Sequence, residues 1–164
     1  MALHSRGLVI GEDHMRLLEA VLAKLRQVTR SRFAALISTS GHPIVMSPAD
    51  AEQDHLALSA LAASSFAATR QLATLLEEHQ FTLLFHEGQE SNLHVVQVSD
   101  QVLLLITFGH DTQIGRVRLY TGRAVEALRP VFDGASDTHD DWVPDEEYPR
   151  EAGEALDGLL RERG

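Results

Sequence analysis

The sequence predicts an α/β (α+β) domain, a five-stranded antiparallel sheet with helices on both faces, in the order α-β-β-α-β-β-β-α. Three observations carry this expectation. Three segments either repeat apolar residues at helical spacing or consist of strong helix formers without Gly or Pro. Five short apolar runs stand between them as a pair and a triplet. The links inside the pair and the triplet are turn-length, which only antiparallel neighbours allow.

From Glu12 to Val28, Met15, Leu18, Val21, Leu22, Leu25 and Val28 recur at three- and four-residue steps. Glu12 and Asp13 stand where the helix dipole is positive, so an amphipathic helix is expected. Phe33–Thr39 and Pro43–Met46 then read as a hairpin turning at Ser40-Gly41. Asp54 to Glu78 lacks Pro and Gly and is rich in Ala and Leu, which predicts a long second helix. Strands follow at Phe81–His86, Leu93–Val98 and Val102–Phe108. A last core helix is expected from near Gly115, burying Val117, Tyr120, Ala124, Leu128 and Val131, with Pro130 placed to bend or end it.

The 164 residues suffice for one domain with a real core and are too few for two. The expected organisation is an N-terminal extension (1–11), the domain (12–133), an acidic linker (134–149) and a short C-terminal helix (150–164). Between Asp133 and Glu151 eight acidic residues oppose Arg150 alone, so seven of the ten net negative charges sit there. Trp142 and Tyr148 are the aromatic exceptions in that stretch. Ala152, Ala155, Leu156, Leu159 and Leu160 form a stripe that needs a surface, on the body or on a partner.

Composition also excludes chemistry. With no cysteine there are no disulfides, thiolate metal sites or cysteine nucleophiles, which fits a reducing, cytoplasmic setting. Leu8 to Ile10 is far short of the ~20 apolar residues that cross a bilayer. A net charge of -10 repels nucleic acid and anionic membrane, so neither is expected as a partner. His86-Glu87-Gly88-Gln89-Glu90 half matches a zinc-protease helix, but Glu90 replaces the second histidine and Gly88 suits a turn. His86 and His94 are expected to face each other across that hairpin, a pair too small for a metal site. Lys24, the sole lysine, has no glycine-rich loop before it, and no Gly-x-Ser-x-Gly elbow exists. No catalytic residue, cofactor or metal is therefore expected, and the chain reads as a binding module rather than an enzyme.

The second helix is the informative feature. Wound at 100° per residue, it gathers Leu58, Leu61, Ser65, Ala68, Leu72 and Leu76 on one side, expected to sit on the sheet. The other side carries Leu56, Ala60, Ala63, Ser64, Phe66, Ala67 and Thr74, with Arg70 the only charge between Asp54 and Glu77. A rod apolar nearly all round must be covered twice, so the outer face is expected to be a dimer or partner interface. The alternatives are a cover from the chain's own terminal segments, or alanines present only for helix propensity.

The order of elements, together with Val102 to Phe108, Asp111-Thr112 and Gly115-Arg116-Val117-Arg118, resembles the roadblock family of dynein light chain type. The hairpin Leu36 to Ile44 and the Ala-rich Leu58 to Leu76 match as well, so the resemblance covers about residues 14 to 132. Asp145-Glu146-Glu147-Tyr148 and Ala152 to Leu160 resemble the end of the bacterial MglB branch, whose members act on the Ras-like GTPase MglA in cell polarity and gliding motility.

The resemblance implies a roadblock/longin-like fold and a homodimer. In that dimer Phe81, Thr82, Leu83, Leu84, Phe85 and His86 pair with their twins, and the Ala-rich helices lie side by side. It also implies that the helix pair holds a small Ras-like GTPase of MglA type. Hydrolysis would be stimulated by repositioning the GTPase's own residues. The alternative is a non-catalytic dimeric scaffold that tethers a GTPase or another protein. Arg70, expected on the partner-facing side, departs from the pattern as a conceivable arginine finger, with a rim contact as its plainer role. Trp142, Tyr148, Leu156, Leu159 and Leu160 are candidate tail contacts.

Overall fold

A computed structural model describes residues 3–5, 8–50, 53–136 and 158. Strands β1 (Leu3–Ser5) and β2 (Leu8–Ile10) pair antiparallel within the expected extension, and Ile10 is buried in the core. Helix α1 (Glu12–Thr29) opens with Glu12 and Asp13 in its first turn and buries Leu18, Val21, Leu22 and Leu25. It ends at Arg30, whose left-handed φ of 52° lets its N–H reach back to the Gln27 carbonyl.

β3 (Phe33–Ser38) and β4 (Pro43–Ser47) form the expected hairpin, with Gly41 at φ 89° in the turn. α2 (Gln53–Leu75) follows. It is closed by Glu77 at φ 59° and by the Glu78 N–H donating to the Ala73 carbonyl at 2.9 Å, a left-handed helix stop. β5 (Leu83–His86), β6 (Asn92–Ser99) and β7 (Val102–Phe108) complete the strands, and α3 (Ile114–Ser136) is the last core helix.

Pro130 does not end α3; the helix runs through Ser136, past the boundary expected at 133. The proline lies on the exposed side, where a carbonyl left without an N–H costs least, and the fully buried Phe132 pins the final turns to the core.

The five main strands stand in the order β4-β3-β7-β6-β5, and they form one antiparallel sheet, as the sequence predicts. β7 is central and covered on both sides, which explains why it reads as an unbroken apolar run rather than an alternating one. On one face Ala34, Leu36, Leu104, Ile106 and Phe108 pack under α1 and α3. On the other, Phe33, Ala35, Ile37, Val95, Leu103 and Leu105 pack under α2. The sheet is thus the middle of three layers, and among the described residues α2 alone covers its second face.

The strand register overturns one expectation. His94 lies opposite Phe85, and His86 lies opposite Leu93. Side chains alternate along a strand, so His86 and His94 point to opposite faces and do not meet. A one-residue offset, invisible in the sequence, separates the two arrangements. Among the described residues no group of three or more His, Asp or Glu is placed to hold a metal ion, and no helix is long and apolar enough to cross a membrane.

Candidate interaction surface

The face of α2 that meets the sheet is set by side-chain size. Ser59, Ala62, Ala63, Phe66 and Ala73 are buried, and Leu58 is half-buried beside them. Small residues let the helix axis come close to β3 and β7, and Phe66 fills the wider space near β5 against Phe81, 4.9 Å away. Phe33 stacks on His55 at 4.2 Å, near the start of the helix.

This rotation corrects the expected facing. Leu61, Ser65, Ala68, Leu72 and Leu76, expected on the sheet, point outward. Leu61, Leu72 and Leu76 are 66, 57 and 66% exposed, and Leu75 is 84% exposed. Ala63 and Phe66, expected outward, are only 3% exposed and belong to the core. A helix apolar on every side offers no polar stripe to mark its outside, so hydropathy alone could not set its rotation. Shape could: the alanines and Ser59 fit the close approach, and the leucines do not.

Leu56, Ala60, Ser64, Ala67 and Thr74 are exposed as expected, on a flank adjoining the leucine crest. From Leu56 to Leu76 every exposed side chain is uncharged. Two of the exposed hydroxyls are turned back on the helix. Ser64 Oγ donates to the Ala60 carbonyl at 3.0 Å and Thr74 Oγ1 to the Arg70 carbonyl at 3.1 Å. Each hydroxyl proton is already used within the helix, so covering these groups costs less than covering an unsatisfied donor.

Arg70 does not stand on that flank. It is half-buried, its Nη2 donates to Gln97 Oε1 at 2.5 Å, and its guanidinium lies 5.6 Å from the Phe66 ring centroid. The β6 amide and the aromatic face hold it against the sheet edge, which removes the geometry of a projecting arginine finger.

Among the described residues β5 is an edge strand, hydrogen-bonded to β6 alone. Phe81 and Thr82 precede the regular strand, yet the Gln97 N–H still donates to the Thr82 carbonyl at 2.9 Å. Antiparallel bonds alternate, so Thr82, Leu84 and His86 direct their backbone groups toward β6. Leu83 and Phe85 direct theirs to the open edge. Leu83 and His86 are exposed, Phe81, Leu84 and Phe85 half-buried, and no Asp, Glu, Lys or Arg stands within Phe81–His86. The following link is held firmly, by Arg32 Nη1 donating to Ser91 Oγ at 2.7 Å and by His110 Nε2 lying 2.6 Å from the Gln89 carbonyl.

Behind this edge lies His94, which sequence reasoning weighed only as half of a weak metal pair with His86. His94 is 1% exposed, and its Nε2 is 3.2 Å from Thr121 Oγ1. Thr121 already donates to the Val117 carbonyl at 2.7 Å, so the imidazole must donate to Thr121 through Nε2–H. Nδ1 is then an unprotonated acceptor, buried with no hydrogen-bond partner among the described residues. Burial, reinforced by Arg118, lowers the His94 pKa to about 4. The only signal in the sequence was a histidine at an inward position of a strand. Trp142, Tyr148, Leu156, Leu159 and Leu160 lie outside the described residues.

Comparison with known proteins agrees with this architecture. The Myxococcus xanthus MglB structure is similar at 29% identity and a TM-score of 0.70, covering 81% of this chain and 100% of that one. A structure described as MglB with tetrameric arrangement gives 29% identity, a TM-score of 0.70 and coverage of 81% and 99%. The gliding protein MglB from Thermus thermophilus gives 28%, 0.69, and 80% and 99%. A Roadblock/LC7 domain from Streptomyces avermitilis, at 15% identity and a TM-score of 0.65, shares the fold over 70% of this chain and 97% of its own. No curated protein matches the sequence. The Roadblock/LC7 domain pattern matches residues 17–108, from α1 to the end of β7, and the chain belongs to the Roadblock/LC7 domain family.

Proposed function

We propose that the chain is a homodimeric GTPase-activating regulator that binds a small Ras-like GTPase of MglA type in the cytoplasm. It stimulates GTP hydrolysis by positioning the GTPase's own catalytic residues and supplies no catalytic side chain itself. The observation that carries this reading is the outward flank of α2, uncharged from Leu56 to Leu76 and built around exposed leucines. Apolar contacts at ~25 cal/mol per Å² give such a flank a strong tendency to be covered by protein. The open β5 edge supports the dimer, since backbone pairing of two such edges extends one sheet into the next. Likeness to MglB structures over the whole length of those chains supports the choice of partner.

The test is phosphate release by a small GTPase of that type, with and without this protein at stoichiometric dimer, alongside a direct binding measurement. Acceleration with binding supports the activator. Binding at unchanged turnover identifies a dimeric scaffold or adaptor, and absence of binding removes both readings.

A further inference from the structure

We propose that His42, in the β3–β4 turn, is the side chain that orients the GTPase on the α2 flank, its ring N–H donating to an oxygen of that partner. The inference rests on the proposed function and deepens it. Gly41 packs directly on the backbone of α2: a Cβ there would stand 2.8 Å from the Ala60 Cα and 3.5 Å from the Ala60 carbonyl oxygen. Ala60 is exposed on the flank, and so are Thr39, Ser40 and His42 in the turn. A protein that rests on Ala60 therefore rests on the turn as well.

The turn holds its donor ready. The His42 N–H donates to Ser38 Oγ at 3.1 Å, Ser38 Oγ lies 2.8 Å from Ser40 Oγ, and Ser40 Oγ lies 3.1 Å from His42 Nδ1. One direction uses both hydroxyl protons inside the turn: Ser38 donates to Ser40, and Ser40 donates to Nδ1. The proton of the neutral ring then stands on Nε2, on the side of the ring away from Ser40, and among the described residues none accepts from it. Within residues 38–42 it is the one side-chain N–H. The tip is also tied to the β6–β7 turn, where the Thr39 N–H donates to the Gln101 carbonyl at 3.0 Å and exposed Asp100 supplies acceptors instead. A donor fixed before contact loses little freedom on binding.

Position assigns the turn to the GTPase rather than to a second copy. In the order β4-β3-β7-β6-β5, β7 and β6 stand between β3 and β5. A copy paired through β5 therefore begins four strand spacings, about 19 Å, from β3. α2 follows the same division: it meets the turn at Ala60, and farther along Phe66 meets Phe81 beside β5, at 4.9 Å between ring centroids. The flank itself is uncharged, so apolar contact alone does not choose an orientation on it. A directed hydrogen bond at its margin does, because a partner set down any other way buries the His42 N–H without an acceptor.

The test uses the full chain and a small GTPase of MglA type. His42→Ala keeps the backbone bonds to Ser38, so the dimer dissociation constant and the urea midpoint should stay nearly unchanged while GTPase binding weakens about tenfold. Ser40 is a positioning residue that acts through the ring. Ser40→Ala should weaken binding about threefold, and by nothing further in the His42→Ala background. His42→Gln, whose amide N–H reaches similarly far, should recover most of the binding, a rescue that a merely structural role would not show. Unchanged GTPase binding in His42→Ala, additive losses in the double variant, or a weakened dimer would each overturn the proposal and leave the proposed function standing. Absence of binding by the wild type would remove both.

Discussion

The Cβ that Gly41 lacks would lie 2.8 Å from the Cα of Ala60, so the β3–β4 turn meets the backbone of α2 at that point. No neighbouring side chain can swing aside to relieve such a contact. Gly41 also sits at φ 89°, a conformation that L residues rarely adopt. Gly41→Ala should therefore lower stability by about 1–3 kcal/mol, read from the urea midpoint of the pure protein. Any movement of α2 that follows should appear as weakened association.

The outward leucines predict the opposite separation of effects. Leu72→Glu, at a position 57% exposed, should leave the denaturation midpoint nearly unchanged and weaken dimer or GTPase binding by about tenfold or more. Sedimentation together with a binding titration would check both parts. Ala63→Arg should behave differently, because Ala63 is buried against the sheet. There an added guanidinium unfolds the domain rather than merely opening an interface.

At the sheet edge, Leu83 directs its N–H away from β6, so Leu83→Pro removes an outward donor and keeps the β5–β6 ladder. The expected result is a folded monomer by sedimentation and circular dichroism. A stable dimer in that variant would exclude pairing through β5.

His94 predicts a pH dependence with a definite sign. Its folded pKa of about 4 lies below the unfolded value of 6.5, so the unfolded chain binds the proton first. This contribution is complete above pH 6.5, fades as pH falls toward 4, and amounts to on the order of 3 kcal/mol at its limit. Urea unfolding of the wild type at pH 7 and pH 5 should show the loss, and His94→Gln should flatten it.

Arg70, tied to Gln97 and lying over Phe66, should not act on a phosphate. Arg70→Ala is expected to change GTPase stimulation by no more than about twofold, whereas loss of a true arginine finger would cost ~10³-fold or more. Single-turnover phosphate release distinguishes the two.

The element order and sheet were readable because each rested on a local pattern. The steps from Leu18 to Leu25 fixed α1, and the run Val102–Phe108 announced a strand buried on both faces. The rotation of α2 was not readable, because Leu61 and Ala62 differ in size and hardly in polarity. Deciding between them needed the depth of the groove over β3 and β7. The separation of His86 from His94 depended on register, a long-range property that neither strand encodes alone. Leu56, Ala60, Ser64, Ala67 and Thr74 are exposed as expected because they adjoin the leucine crest, and the burial of Phe66 was missed because it depends on a long-range contact with Phe81.

Ser64 and Thr74 turn their protons back on their own helix, and this bears on how any neighbour is oriented. A surface with few outward donors, Gln71 and Ser65 among them, and no charge makes few directional demands, so it tolerates another helix at more than one angle of rotation. Alignment then has to be dictated at the margins, by the backbone of β5 on one side and the Gly41 turn on the other. A waxy strip between two firm rails can exchange one companion for another without being rebuilt.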